Sequence, residues 1–563
     1  DRAERAVDRV VEEYDDDQAI FELAAAELRD QLEQQRRRSE LAEKRAAEAI
    51  HGRERLQQAR AHAAELVASR LSERMLTAPV AQFLDRHWRH HLTQAWLRDG
   101  AGSGRHHEAI ALGDAMVQVD VDAAHARGRV VAEQLLALQV PLGECYSSCG
   151  MDATAARDAM ARIISALGLP DAPRRVHRPE SDHDEVDAMA GEGALAGDYT
   201  FTAHKSAADE QEEREITVFS SLDRKAAPKE VLETAATIAR NVAWARDLVN
   251  TAPNLLYPQS FTEQVQQVAK ASSGKLKVEV LDDKALLEGG FGGIVGVGQG
   301  SSRPPRIVTL SYSPRGKKPH VALVGKGITF DTGGVCIKPS ASMATMKSDM
   351  AGAAAVAATV VAAAELELDV AVTGYLCLAE NMPGGNAQRP GDVVTMRNGM
   401  TVEILDTDAE GRMVLADGMS LAAESGPDQI LDVATLTGAC VVALGPHIFG
   451  VMGNDEELRT AITEAADRAD EPSWPLPLPT ALRAGLDSPT ADIAHKGDRM
   501  GGALTAGLFL QEFAKDADGE LIPWAHLDIA GPSFNEGGAT GHLPKGATGV
   551  AVGTLLEHLA NLA

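Results

Sequence analysis

Leu405-Asp406-Thr407-Asp408-Ala409-Glu410-Gly411-Arg412-Met413-Val414-Leu415-Ala416-Asp417 sets two carboxylates, Asp408 and Glu410, two residues apart, ahead of a glycine and a lone arginine. In an extended segment, side chains at i and i+2 point the same way. Both carboxylates then reach one object, and hard cations prefer such oxygen donors. Taken alone, the stretch also reads as an acidic turn ahead of a helix. Three blocks upstream extend the candidate set: Gly325-Lys326-Gly327-Ile328-Thr329-Phe330-Asp331-Thr332-Gly333-Gly334, Ile337-Lys338-Pro339, and Met346-Lys347-Ser348-Asp349-Met350. Alone, Lys326 or Lys338 reads as a surface lysine, and Asp349 as a helix N-cap. Their joint occurrence argues for one site.

Outward from these blocks the chain alternates between strand and helix. Strands are predicted at Val278–Val280, Ile307–Leu310, His320–Val324, Val370–Leu378, Ile430–Val433 and His526–Ile529. Short buried apolar runs of this kind suit a central sheet. Gly352–Leu368 is an almost pure Ala/Val helix that must be buried. A helix over Pro228–Val249 leads in, and Thr251–Asn254, with Pro253, follows it as a turn. Gly289–Gly300 has no phosphate-loop lysine and reads as a loop. The expected fold is an α/β catalytic domain with a central mixed sheet flanked by helices, preceded by a mainly α-helical N-terminal region.

The ordered blocks resemble the leucyl aminopeptidase family, the two-metal cytosol aminopeptidases, over roughly residues 185–563 and best from Lys326 to Gly438. The resemblance implies a metal-dependent aminopeptidase that releases Leu-like N-terminal residues from peptides. It implies two divalent metal ions, manganese or zinc. Lys326, Asp331, Asp349 and Glu410 would hold one, and Asp331, Asp408 and Glu410 the other, so Asp331 and Glu410 would bridge. Lys326 would ligate as the neutral amine, its proton driven off by the dication. Lys338 would donate to the scissile carbonyl oxygen, and Arg412 would hold a bicarbonate acting as proton shuttle. Met346, Thr435 and Gly438 match positions lining the family's S1 pocket, with core packing as the competing reading. A homo-hexamer and a cytoplasmic home are also implied. Position 406 departs from the pattern: it is Asp where the family usually has Asn or another small polar residue.

The chain has 563 residues, 44% hydrophobic and 24% charged, which predicts two or three globular domains. A net charge of −28 argues against a general nucleic-acid binder. No run of about 18 apolar residues is visible, so no membrane span is expected. Five cysteines without a framework point to reduced thiols.

The predicted organisation is a helical region of unknown function over 1–169, a linker over 170–192, a remnant of an aminopeptidase N-terminal domain plus bridging helix over 193–250, and the catalytic domain over 251–563. The first third resembles part of a family of large helical bacterial proteins of unknown function, which implies no activity. Its run Gln34–Arg38 reads as a solvated helix face. A helical break is expected near Pro141. Trp88 and Trp96 are expected in a helical core. His87 and His91 have the i, i+4 spacing that metals use, yet no cysteine or carboxylate set completes them in sequence, so they read as structural. Cys145 and Cys149 sit four apart, which is neither a zinc-ribbon nor a thioredoxin spacing. The competing function is a non-catalytic or DNA- or protein-binding regulator built on the aminopeptidase fold.

Overall fold

The computed structural model describes residues 55, 58–60, 62–71, 74–125, 128–149, 151, 153–168, 172, 174–175, 192–206 and 228–562. Residues 1–50 of the expected helical region, with the Gln34–Arg38 run, and residues 207–227 of the expected N-domain remnant fall outside them. The chain divides into two compact units, Asp1–His183 and Asp184–Ala563.

In the first unit, helices Arg89–Asp99, Gly104–Ala124, Gly128–Ser148 and Ala153–Leu167 enclose a core that includes Leu84, Trp88, Met116, Tyr146 and Ile163. Ser103 caps the second of them, its hydroxyl accepting from His106 N at 3.2 Å. Trp88 is buried, donates to Ala109 O at 2.6 Å, and lies so close to Gly113 that a Cβ there would sit 2.1 Å from the ring. Trp96 is only half-buried. The break expected near Pro141 is absent, since Gly128–Ser148 runs through it. Ala137, whose carbonyl Pro141 leaves unpaired, is exposed, so water can serve it. Asp120 is buried at the centre of a polar tie. Its Oδ2 accepts from Thr77 N and Oγ1 at 2.7 and 2.8 Å, and its Oδ1 pairs with Arg174 Nε at 2.7 Å. That tie joins the short antiparallel pair Leu76–Thr77 and Arg174–Arg175 to helix Gly104–Ala124.

The second unit is built on eight strands: β1 Leu276–Leu281, β2 Arg306–Tyr312, β3 His320–Asp331, β4 Ala371–Asn381, β5 Gln429–Ala434, β6 Phe449–Gly453, β7 Ser473–Pro475 and β8 Trp524–Asp528. Their spatial order is β7-β6-β8-β5-β3-β4-β2-β1. Strands β8, β5, β3 and β4 are mutually parallel; β6 runs antiparallel to β8, and β2 to β4. Helix α1, Pro228–Asn250, and helix α2, Ala351–Glu365, cover one face, and α3, Gly411–Glu424, covers the other. Covering both faces requires the near-continuous apolar runs seen in β3 to β5.

Every residue of α2 from Ala351 to Ala364 is buried. By composition, Met346–Glu365 is apolar enough to cross a membrane, but 94% of its apolar window lies inside the fold, as the core helix of this sheet. Small residues let it approach closely: a Cβ on Gly352 would lie 2.0 Å from Val433 O, and one on Gly325 would lie 2.5 Å from Ala353 Cα. This seats the N-terminus of α2 against the ends of β3 and β5. The glycine-rich stretch expected as loop contains a short helix, Gly292–Gly298. Asp417 on α3 holds its start, accepting from Ile294 N at 2.9 Å.

Candidate functional site

The site forms where the parallel strands end, the usual place for ligands in open α/β sheets. Strand β3 supplies Lys326 and Asp331, five residues apart, which a regular strand would point to opposite faces. A bulge corrects this. Ile328 pairs with Ala379 and Phe330 with Glu380, leaving Thr329 as an extra residue. Lys326 therefore lies opposite Cys377 and Asp331 opposite Asn381, four positions apart on β4, so both face the site. The expected strand stops at Val324; the observed one runs to Asp331 because this bulge keeps the pairing alive.

Lys326 Nζ lies 2.8 Å from both Asp349 Oδ1 and Glu410 Oε1, and donates to Thr435 O at 2.9 Å. Lys338 Nζ lies 2.8 Å from Asp331 Oδ2 and 2.6 Å from Asp408 Oδ1. Asp331, Asp408 and Glu410 each offer an oxygen within 4.8 Å of the other two. Asp408 and Glu410 do not converge through an extended segment, as the sequence spacing led us to expect. Residues 407–408 form a turn, and Glu410 is the N-cap of α3 in a helical conformation. Gly411 follows because its position is crowded: a Cβ there would sit 2.6 Å from Lys326 Cε.

Residues not singled out in the sequence hold these groups in place. Asn381 Nδ2 donates to Asp331 Oδ1 at 2.8 Å and to Thr407 O at 2.9 Å. Thr407 Oγ1 donates to Gly333 O at 2.6 Å and accepts from Cys336 N at 2.9 Å, latching the loop that carries Lys338. Gly333 and Gly334 have φ of 87° and 64°, a left-handed path that glycine takes without strain. His495 clamps the Asp406 loop: Nε2 donates to Asp406 O at 2.7 Å and Nδ1 accepts from Leu405 N at 3.2 Å. Burial, with Arg412 nearby, pulls His495 down to about 4, matching the neutral ring these bonds need. No motif carries any of these roles; only the fold brings them together.

The electrostatics are unbalanced. Three buried carboxylates and the more exposed Asp408 meet two ammonium groups. Burial and neighbouring Glu410 push Asp331 up to about 6, against the two lysines. Burial likewise holds Asp349 far above the usual carboxylate range. Burial also opposes the charge on Lys326, yet Asp349, Glu410 and Asp331 outweigh it and leave the lysine raised. Asp349 Oδ2 and Glu410 Oε2 are buried without a hydrogen-bond partner. Idle buried carboxylate oxygens are costly unless something binds them, and this all-oxygen set with one lysine fits divalent cations.

Arg412 is buried. Its Nη1 donates to His495 O at 2.9 Å, and its Nε has no partner. Burial lowers it to about 10 against the pull of Glu410 and Asp528. Thr435 holds Asp349 through its hydroxyl at 2.7 Å. Met346 is half-buried in the short turn Met346–Ser348, and Gly438 is exposed at the start of helix Gly438–Leu444. Asp406 turns from the cluster: Oδ2 pairs with Lys496, and Oδ1 accepts from Asp408 N at 3.0 Å.

Residues 243–556 match the cytosol aminopeptidase family, catalytic domain. Residues 49–165 match the third domain of a family described as protein of unknown function DUF1631. A probable cytosol aminopeptidase of Streptomyces avermitilis is 55% identical over 380 residues, 66% of this chain and 73% of its own. That of Streptomyces coelicolor is 54% identical over 386 residues, again 66% and 73%. Among solved structures, the bottromycin maturation enzyme BotP in complex with Mn superposes with a TM-score of 0.60 at 40% identity, covering 67% of this chain and 79% of BotP.

Proposed function

The chain belongs to the cytosol aminopeptidase family, and from that premise we propose that it removes N-terminal residues from peptides with two divalent metal ions. As a leucyl aminopeptidase-type hydrolase it acts on peptide bonds. The observation that carries the metal reading is the pair of idle buried oxygens, Asp349 Oδ2 and Glu410 Oε2, beside an excess of negative charge.

Lys326, Asp331, Asp349 and Glu410 would hold one ion; Asp331, Asp408 and Glu410 would hold the other. When bound, the ions supply the Lewis acidity that polarises the peptide carbonyl and activates water. Manganese or zinc fits this donor set, and BotP is a relative solved with Mn. Asn381 and Thr435 orient Asp331 and Asp349, so the ligands are set before substrate arrives. Lys338, 15% exposed, stands at the open side of the cluster. With Asp331 and Asp408 holding metal, its ammonium would be free to donate to the carbonyl oxygen as charge develops there. Arg412, buried with an idle Nε, is suited to hold a bicarbonate that accepts a proton. Met346, Thr435 and Gly438 would border the pocket for a Leu-like side chain. We further propose a homo-hexamer working in the cytoplasm, with residues 251–563 as catalytic domain and the helical region as an added module.

The test is hydrolysis of a leucine chromogenic amide by the full chain, after chelation and after adding back manganese or zinc. Turnover should disappear with chelation and return with metal. Lys338→Ala should lower kcat by roughly 10²–10³. A folded chain that stays inactive with every divalent metal would sink the proposal.

A further inference from the structure

His87, Cys145 and Cys149 are far apart in sequence and converge in the first unit. Cys145 and Cys149 both direct their thiols at one acceptor, His87 O, at 3.5 and 3.4 Å. Sharing that acceptor brings the two thiols, four residues apart in sequence, side by side. His87 lies in a π-helical turn, Phe83–Trp88, whose extra residue reshapes the backbone here. Cys145 is buried and Cys149 is only half-buried. This is an arrangement of one reachable sulfur backed by one protected sulfur.

We propose that Cys145 and Cys149 form a reversible thiol–disulfide site in the helical unit, oxidised by a hydroperoxide and reset by a dithiol. The Cys149 thiolate attacks the peroxide: an S–O bond forms, the O–O bond breaks, and the departing oxygen leaves as alcohol or water with the thiol's proton. Cys145 then attacks the resulting sulfenic sulfur. The S–S bond forms, the S–O bond breaks, and water leaves with the second proton. Two thiols and one hydroperoxide thus become one disulfide, one alcohol and one water. A dithiol reverses this by two thiol–disulfide exchanges, itself becoming a disulfide.

The local electrostatics agree. Cys145 beside it holds the Cys149 thiol low against burial, and His87 adds to this. The neighbouring Cys149 and burial push Cys145 up. A low thiol that solvent can reach, beside a resolving thiol, is what a redox-sensitive pair requires. Helical residues at i and i+4 have Cβ atoms about 5–6 Å apart, whereas a disulfide needs about 3.5–4.5 Å. The helix must therefore give at one end, and Cys149 stands just past its last residue, Ser148, with its N–H divided between Cys145 O at 3.3 Å and Tyr146 O at 3.1 Å. A bond closed against that resistance is readily reduced. A metal reading is less well supported. Among the described residues, only Asp331, Asp408 and Glu410 bring three donors within 4.8 Å, and His91 Nδ1 is engaged by Ser148 Oγ at 2.9 Å.

The experiment is equimolar hydrogen peroxide on the full chain, followed by alkylation and mass spectrometry of the tryptic peptide 130–157, which contains both cysteines. The expected result is a peptide lighter by two hydrogens, restored by dithiothreitol, while half-buried Cys336 stays alkylatable. In Cys145→Ser, dimedone should trap the Cys149 sulfenic acid about tenfold more than in the unmodified chain. The proposal is overturned if both thiols alkylate fully after peroxide, or if Cys149 gains oxygen without pairing. It is also overturned if the purified chain carries stoichiometric zinc that Cys145→Ser releases, because the site would then be a metal site.

Discussion

Asp120 in the helical unit and Glu410 in the catalytic unit are both carboxylates withdrawn from water, and they are satisfied in opposite ways. Both oxygens of Asp120 are engaged, by Thr77 and Arg174. Glu410 gives one oxygen to Lys326 and leaves the other idle. A buried acid with full hydrogen bonding is part of the architecture. A buried acid with an idle oxygen, in a cluster where acids outnumber bases, is what the proposed metal ions would complete. The contrast separates structure from function without reference to any relative.

Three substitutions test that distinction. Glu410→Gln should lower kcat for a leucine amide on the order of 10³-fold, while the thermal midpoint holds or rises because an underpaired buried charge has gone. Steady-state kinetics and a melting curve on the same sample check it; a lowered midpoint would place Glu410 with Asp120 as a structural acid. Asp120→Ala should do the reverse, costing about 3–5 kcal/mol in the helical unit by stranding Arg174 and Thr77. Denaturant unfolding beside the same kinetic assay would show it, and lost activity with unchanged unfolding would break the comparison. The smallest effect is expected from Asp406→Asn. Its carboxylate pairs with Lys496 rather than the cluster, so kcat should move less than about threefold, within the usual range for a part-exposed ion pair. A large change would bring Asp406 into the reaction.

Much of this was legible in the chain. The six predicted strands are present, and the Ala/Val helix over 352–368 is the buried helix its lack of charge requires. What escaped notice depends on partners distant in sequence. The break expected at Pro141 ignored that the proline lies on a partly exposed stretch. The short helix at Gly292–Gly298 hides in glycines chosen for close contact: a Cβ on Gly292 would lie 2.1 Å from Thr395 O. Asp408 and Glu410 do meet, but by a turn and a helix start rather than by strand alternation. Asn381, Thr407 and His495 carry no motif, because their roles exist only once β4 and the 495 loop stand beside β3 and α3.

The single extra residue in β3 has a consequence for the whole architecture. Upstream of Thr329 the strand keeps its apolar pairing with β4; downstream, the bulge decides which side Asp331 serves. The register that this bulge sets therefore matters to the placement of Asp331 as much as the residue types do. The same residues paired without the bulge would keep the lysine in place, yet turn Phe330, four positions after it, to the side that Asp331 now serves.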